Sequence, residues 1–256
     1  MTRAYQIPVL RKAIQVMNAL ADGQSEPTTT SLARALKIAP ATCYRIIQTF
    51  AHAGWIRVRG DGRCELGVGL FPLLHRLQSH DLMSRKVADV LRELTVATGV
   101  ASKVSVREDD DALTVLREDS AEPMALAVRA GSRFHLALGA SGSVLLSALD
   151  DAEVARIIRA APTGCWQWQK PADVLRRVKE ARRRGIVTDL GTYRPDIFGI
   201  AAPLLDAEGQ IEGALTLTGL IHGHTKAQFE EWRRLVARKA AELNQHATLK
   251  THDENH

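Results

Sequence analysis

The sequence is poor in several features, and each shortage excludes something. No apolar run approaches the roughly 18 residues that a membrane span needs. Met1 to Leu10 has no long apolar stretch after Arg3, so a secretory signal is not expected. The chain has three cysteines in 256 residues, Cys43, Cys64 and Cys165, far apart and odd in number. That argues against a disulfide framework and fits a reducing cytoplasm. Acids are missing from one stretch altogether, with none between Glu26 and Asp61. The rest of the composition is ordinary. Hydrophobic residues make up 45% and charged residues 25%, enough apolar matter to offset ordering entropy. The length suggests two modest domains.

The positive charge is unevenly spread. Residues 1–76 hold ten cations and four anions, whereas the remainder holds 24 cations and 25 anions. All of the net charge of +5 therefore comes from the first third. A small basic module joined to a near-neutral one suits a polyanion binder with a separate sensing part. A solvated basic face would leave the same count.

Local patterns give the basic module a shape. Pro8 to Ala21 reads as a helix with Val9, Ala13, Val16, Met17 and Leu20 on one stripe, stopped by Asp22-Gly23. Thr30 is a plausible cap for a short helix buried through Leu32, Ala33 and Leu36. After Lys37-Ile38-Ala39, Pro40 opens a third helix to about Ala53, with Gly54 as its stop. Cys43, Ile46, Ile47 and Phe50 face inward at helical spacing, which leaves Thr42, Tyr44, Arg45, Gln48 and Thr49 outward. Two helices joined by a tight turn, the second bearing hydrogen-bonding side chains, have the dimensions to enter a major groove. Arg45 can pair with guanine or hold a phosphate. Then Trp55–Arg59 alternates at period two, Gly60-Asp61-Gly62 turns, and Arg63–Leu66 returns. This is a hairpin wing, and Arg57, Arg59 and Arg63 on it, with Arg34 before it, are candidate phosphate contacts.

The stretch from Thr28 to Phe50, on through Gly54-Trp55, and then Gly62-Arg-Cys-Glu-Leu-Gly67 resembles the winged helix of the IclR family of bacterial transcriptional regulators. Pro40-Ala41 departs from that pattern, which usually has a longer polar start to the recognition helix.

Beyond Leu70 the chain mixes apolar and polar residues around Pro72, a connector over 71–82. Asp81 to Ala97 is an amphipathic helix with Leu82, Val87, Val90, Leu91 and Leu94, ended by Gly99. Strand-like runs at Ala101–Arg107 and Ala112–Arg117 flank Glu108–Asp111, read as a solvated hairpin tip because consecutive acids lack a ligand-loop spacing. Gly139–Leu149 looks like a loop entering a helix, Asp151 caps another, and Pro171–Arg184 is a basic helix. Ile186–Asp189, Gly199–Leu205 and Ile211–Thr218 are strands, and Thr225 caps a helix to about His246. The expectation is an α+β domain over 83–248 with helices on one side of an antiparallel sheet, and a disordered tail over 249–256.

This second module resembles the GAF/PAS-like effector domain of the same family through Arg184-Gly185-Ile186, Asp189, Gly199–Asp206 and Leu215–Gly219, so that the resemblance spans roughly residues 6–246. It implies an effector site at Ala140, Ser141, Asp189, Gly199, Thr216 and Thr218. The residues themselves support an anion site. Thr216 and Thr218 share one strand face, and Ser141 lies near a helix N-terminus. Plain β-propensity would place two threonines there as well. Gly199 stands where the family often has Cys, and Ser143 where it usually has Lys. Trp166-Gln167-Trp168 can lid a pocket, bind an aromatic ligand or pack on a surface helix.

Two rival readings draw on other residues. Gly139-Ala-Ser-Gly-Ser143 has part of a nucleophile elbow around Ser141, with His135, His222 and His224 as conceivable bases, but lacks the second glycine. His222 and His224 with Cys165 could hold zinc, but without any supporting spacing. The reading adopted is a regulator and not an enzyme, needing no cofactor or metal. A homodimer, or a dimer of dimers, would place two winged helices on an inverted-repeat operator in double-stranded DNA. A small-molecule effector, an organic acid or an aromatic compound, would control it.

Overall fold

In the computed structural model, residues 7–21, 27–78, 85–121 and 130–253 are described. They divide into two units, Met1–Leu77 and Gln78–His256.

The first unit contains α1 (Pro8–Ala21), α2 (Thr29–Ala35), α3 (Pro40–His52), the hairpin β1 (Ile56–Val58) and β2 (Cys64–Leu66), and α4 (Phe71–Gln78) after a 3-10 turn. Its core joins Val16 and Leu20 of α1, Leu32 of α2, Ile46 and Ile47 of α3, and Ile56 of the hairpin. Two expectations change. Val9 is half exposed, because only the second half of α1 meets this core. The cap of α2 is Thr28 and not Thr30: Thr28 Oγ1 accepts from the Ser31 N–H at 3.2 Å. Thr28 is held extended because it bridges to Arg63 of the hairpin, and the Cys64 N–H donates to the Pro27 carbonyl at 2.9 Å. Gly54 ends the third helix at φ +72, where a side chain would be strained. A Cβ at Gly67 would lie 2.2 Å from the Gly54 carbonyl oxygen, so the end of β2 needs glycine to pass that close.

The second unit begins with α5 (Arg85–Thr98), followed by β3 (Ala101–Glu108), β4 (Asp111–Glu118) and β5 (Arg133–His135). Three helices follow, α6 (Gly139–Ser147), α7 (Asp151–Ala160) and α8 (Pro171–Arg184). The chain then runs through β6 (Val187–Leu190), β7 (Ile197–Leu205) and β8 (Ile211–Leu220) into α9 (Lys226–Asp253). The six strands lie in the order β5-β4-β3-β8-β7-β6, every neighbouring pair antiparallel.

Helices cover both faces of this sheet, which corrects the one-sided expectation. Phe198, Ile200 and Leu204 of β7 pack with α5 and α9 on one face. Ala201 of β7 and Ala214 of β8 pack with α6, α7 and α8 on the other. The second face is built from small residues, and these let α6 come close. The helix also packs tightly on the connection that precedes it, since a Cβ at Gly142 would sit 2.1 Å from the Leu136 carbonyl oxygen.

Other boundaries shift as well. Residues 81–84, expected in the first helix of this unit with Leu82, lie outside the described residues. The tip between β3 and β4 is only Asp109-Asp110, with Asp109 at φ +55, because Glu108 and Asp111 pair across the ladder. It is also not simply solvated: Asp110 accepts from Arg156 of α7 at 3.0 Å, and Glu108 from Arg133 of β5. Those guanidiniums hold both carboxyls below the usual carboxylate range. Gly139 is already helical, and Asp150 rather than Asp151 caps α7, its Oδ1 accepting from the Glu153 N–H at 2.8 Å. Helix α9 continues to Asp253, through much of the expected tail. Among the described residues no helix is long and apolar enough to cross a membrane.

Candidate functional site

On the first unit, α3 presents Tyr44, Arg45, Gln48 and Thr49 to solvent and keeps Thr42 half-buried. No protein partner holds the Arg45 guanidinium among the described residues. The Thr49 hydroxyl donates back to the Arg45 carbonyl at 2.8 Å, so it is turned along its own helix. Arg34 is exposed in the last turn of α2. The hairpin arginines are engaged: Arg57 and Arg59 share Glu65, at 3.7 Å and 2.7 Å, and Arg63 pairs with Asp61 at 3.4 Å. These are exposed pairs, so water and salt compete for them readily.

In the second unit a cavity of about 420 Å³ opens between the N-terminal end of α6 and the sheet. Ala140, Ser141, Asp189, Gly199, Thr216 and Thr218 all line it. They come together because Gly199 of β7 pairs with both Thr218 of β8 and Asp189 of β6. Thr216 donates to or accepts from Ser141 across 2.9 Å, joining β8 to the first turn of α6. The Thr218 hydroxyl is committed to the Phe198 carbonyl at 2.8 Å. At Gly199 the missing side chain leaves room for the helix: a Cβ there would lie 3.2 Å from the Ala140 Cβ. The apolar part of the wall includes Phe134, Leu138 and Ile197.

Asp189 does two jobs in this wall. Its Oδ1 accepts from the Thr192 and Tyr193 N–H groups at 2.8 and 3.3 Å, which shapes the turn after β6. Its Oδ2 lies 3.2 Å from Nη1 of Arg177, a side chain fully sealed from solvent. Arg177 also donates to Ser143 Oγ at 3.0 Å and to Gln169 Oε1 at 2.5 Å. Burial pushes its pKa below the ordinary guanidinium value, against the pull of Asp189. One guanidinium thus ties α6, the segment before α8, and β6 together.

Sequence reasoning missed Arg177, Lys103, Tyr193 and Arg194, of which the last three line the cavity. Arg177 did leave a signal, since it falls in the buried stripe of α8 with Val174, Val178 and Ala181. Lys103 left one too, as a lone charge in the buried run Ala101–Ser105. Trp166 packs against the α6–α8 core, whereas Trp168 is exposed with the Arg194 guanidinium 5.8 Å from its ring. Ser141 meets Thr216 and none of the histidines considered with it. His222 is exposed beside Asp196, His224 packs against Trp232, and Cys165 is buried. Among the described residues no three metal-ligating side chains gather.

Comparison with known proteins places this architecture. Residues 9–60 match the IclR helix-turn-helix domain, and residues 74–245 match the bacterial transcriptional regulator IclR C-terminal domain. The chain belongs to the IclR family. It is similar to the HTH-type transcriptional repressor AllR of Escherichia coli K12, 21% identical over 250 residues that cover 95% of this chain and 91% of AllR. An IclR transcriptional regulator from Alicyclobacillus acidocaldarius shares the fold with TM-score 0.74 at 20% identity, covering 95% of this chain and all of that one. An IclR homologue from Microbacterium hydrocarbonoxydans, solved in complex with 4-hydroxybenzoate, has TM-score 0.73 at 17% identity, covering 93% of this chain and 98% of that one. As an IclR-family member the chain is a DNA-binding transcriptional regulator with a C-terminal effector domain, and not an enzyme.

Proposed function

We propose that the cavity of the second unit binds a small organic acid or aromatic compound, and that its occupancy changes the affinity of the winged helix for an operator. The observation that carries this is the convergence of Ser141, Thr216 and the first turn of α6 on one apolar-walled cavity of about 420 Å³. Helix N-terminal N–H groups and hydroxyls suit an acid group, and the apolar wall suits the rest of a small metabolite. The 4-hydroxybenzoate bound to the Microbacterium relative is a ligand of that kind.

On DNA, a homodimer or a dimer of dimers presents paired winged helices to an inverted repeat. Arg34, Arg57, Arg59 and Arg63 contact phosphates, while Tyr44, Arg45, Gln48, Thr42 and Thr49 line the reading helix. Affinity then falls steeply with salt, by roughly one unit of log–log slope per phosphate neutralised. Arg45→Ala costs roughly 1–3 kcal/mol and relaxes base preference if it reads a base edge; uniform loss across operator variants would assign it to a phosphate.

The test is selection of bound fragments from the host genome, followed by operator titrations with and without small acids. A ligand acts only through its differential affinity for two states. Unchanged operator affinity at saturating ligand would reject the coupling.

A further inference from the structure

Lys103 is buried in the cavity wall, and among the described residues it has neither a carboxylate nor a hydrogen-bond partner. Its ammonium rests 4.1 Å from the centre of the Phe134 ring, which offsets only part of the lost hydration. The charged groups around it are already matched. Arg133 is held by Glu108, Arg117 on the neighbouring strand by Asp119, and Asp189, the acid among the described residues that line the cavity, by Arg177. Arg194 lies over Trp168, and the Tyr193 phenol is pushed by burial above its ordinary pKa, so it stays neutral.

Register fixes where Lys103 points. It pairs with Thr216 of β8, so both side chains leave the same face of the sheet. Thr216 is bonded to Ser141 in the first turn of α6, and the cap residue Leu138 supplies no side-chain acceptor to that turn. An ammonium, a hydroxyl pair and uncapped helix N–H groups therefore line the same cavity, and among the described residues that line it Asp189 is the acid, already paired with Arg177.

We propose that Lys103 is the specificity-determining residue of this cavity, selecting a carboxylate effector over its uncharged analogues by pairing with the acid group. This rests on the reading of the cavity as the effector site. Burial lowers the Lys103 pKa from 10.5 to about 8. A bound carboxylate reverses that, so binding takes up a proton: about half a proton per site at pH 8, and little at pH 7. The apparent affinity for an acid falls about tenfold between pH 7 and pH 9, as the charged fraction of the free side chain falls.

The test is calorimetric titration of the full chain with matched pairs: benzoate and benzamide, 4-hydroxybenzoate and its amide, pyruvate and its amide. At least one acid should bind, with its amide at least tenfold weaker. Lys103→Met should lose tenfold or more for that acid and keep its affinity for the amide. Lys103→Arg, which stays charged, should retain acid binding and lose the decline from pH 7 to pH 9. Titrations at pH 8 in phosphate and in Tris, which differ in ionisation enthalpy, read the proton uptake. If the amide binds as well as the acid, or Lys103→Met leaves acid binding unchanged, the assignment of Lys103 falls while the cavity keeps its ligand. If no member of any pair binds, the assignment and the effector reading fall together.

Discussion

Arg177 Nη1 and Asp189 Oδ2 face each other at 3.2 Å with both side chains shut away from water. A charge pair in that setting contributes little over an apolar pair of similar shape, but losing one partner strands the other. Asp189→Ala should cost about 3–5 kcal/mol in denaturant titrations. Asp189→Asn keeps an oxygen for the Thr192 and Tyr193 N–H groups and should cost less. If both variants unfold with the wild-type midpoint, the pair is not holding the cavity wall.

Lys103 is expected to weaken the fold it sits in. Its pKa is depressed in the folded state, so the unfolded chain binds more protons between about pH 8 and 10.5. The stability of the wild type should therefore rise with pH through that window and fall again as pH drops toward 8. The depression corresponds to an upper limit of roughly 3 kcal/mol at pH 7. Lys103→Met should melt higher at pH 7 and show a flatter profile from pH 8 to 10.5. A lower melting temperature would mean that the ammonium is compensated in the fold.

Glu65 holds Arg57 and Arg59 on the hairpin. Glu65→Gln removes an anion from the surface proposed to meet phosphates and releases Arg57 and Arg59 from that carboxylate. Binding to duplex DNA should tighten a few-fold at low salt, with the log–log salt slope steeper by up to about one unit. Fluorescence anisotropy across a salt series reads both quantities, and weaker binding would show that Glu65 positions the arginines productively.

Gly142→Ala tests how closely α6 must pack on the Leu136 connection that precedes it. The new Cβ would overlap the Leu136 carbonyl oxygen, which is backbone and cannot turn aside. A loss of about 1–3 kcal/mol is expected, together with weaker effector binding, because Ser141 moves with the helix. Gly164→Ala, with nothing within 4 Å of its added Cβ, is the control and should be near neutral.

Much of this was legible in residue order, for physical reasons. The stripe Cys43, Ile46, Ile47 fixes the inward face of α3, and Pro40 and Gly54 mark its ends, because these signals are local. The six effector candidates do line one cavity, although their spread from Ala140 to Thr218 shows no sequence neighbourhood; the family pattern, not spacing, brought them together. What escaped notice depends on contacts between distant segments. Thr28 is the cap because the hairpin holds it, and the apolar stripes around Arg177 and Lys103 hint at burial but not at the cavity and partners that the folded sheet and α6 bring to them. The second helical layer was missed because Ala201 and Ala214 are too small to announce a buried face.

The bridge between Thr28 and Arg63, with the Cys64–Pro27 hydrogen bond beside it, fastens the start of α2 to the returning arm of the hairpin. The capped start of α2 and the hairpin are thus held as one piece. If the hairpin meets DNA as proposed, it has less conformational freedom to surrender on docking, and cutting that fastening should cost affinity.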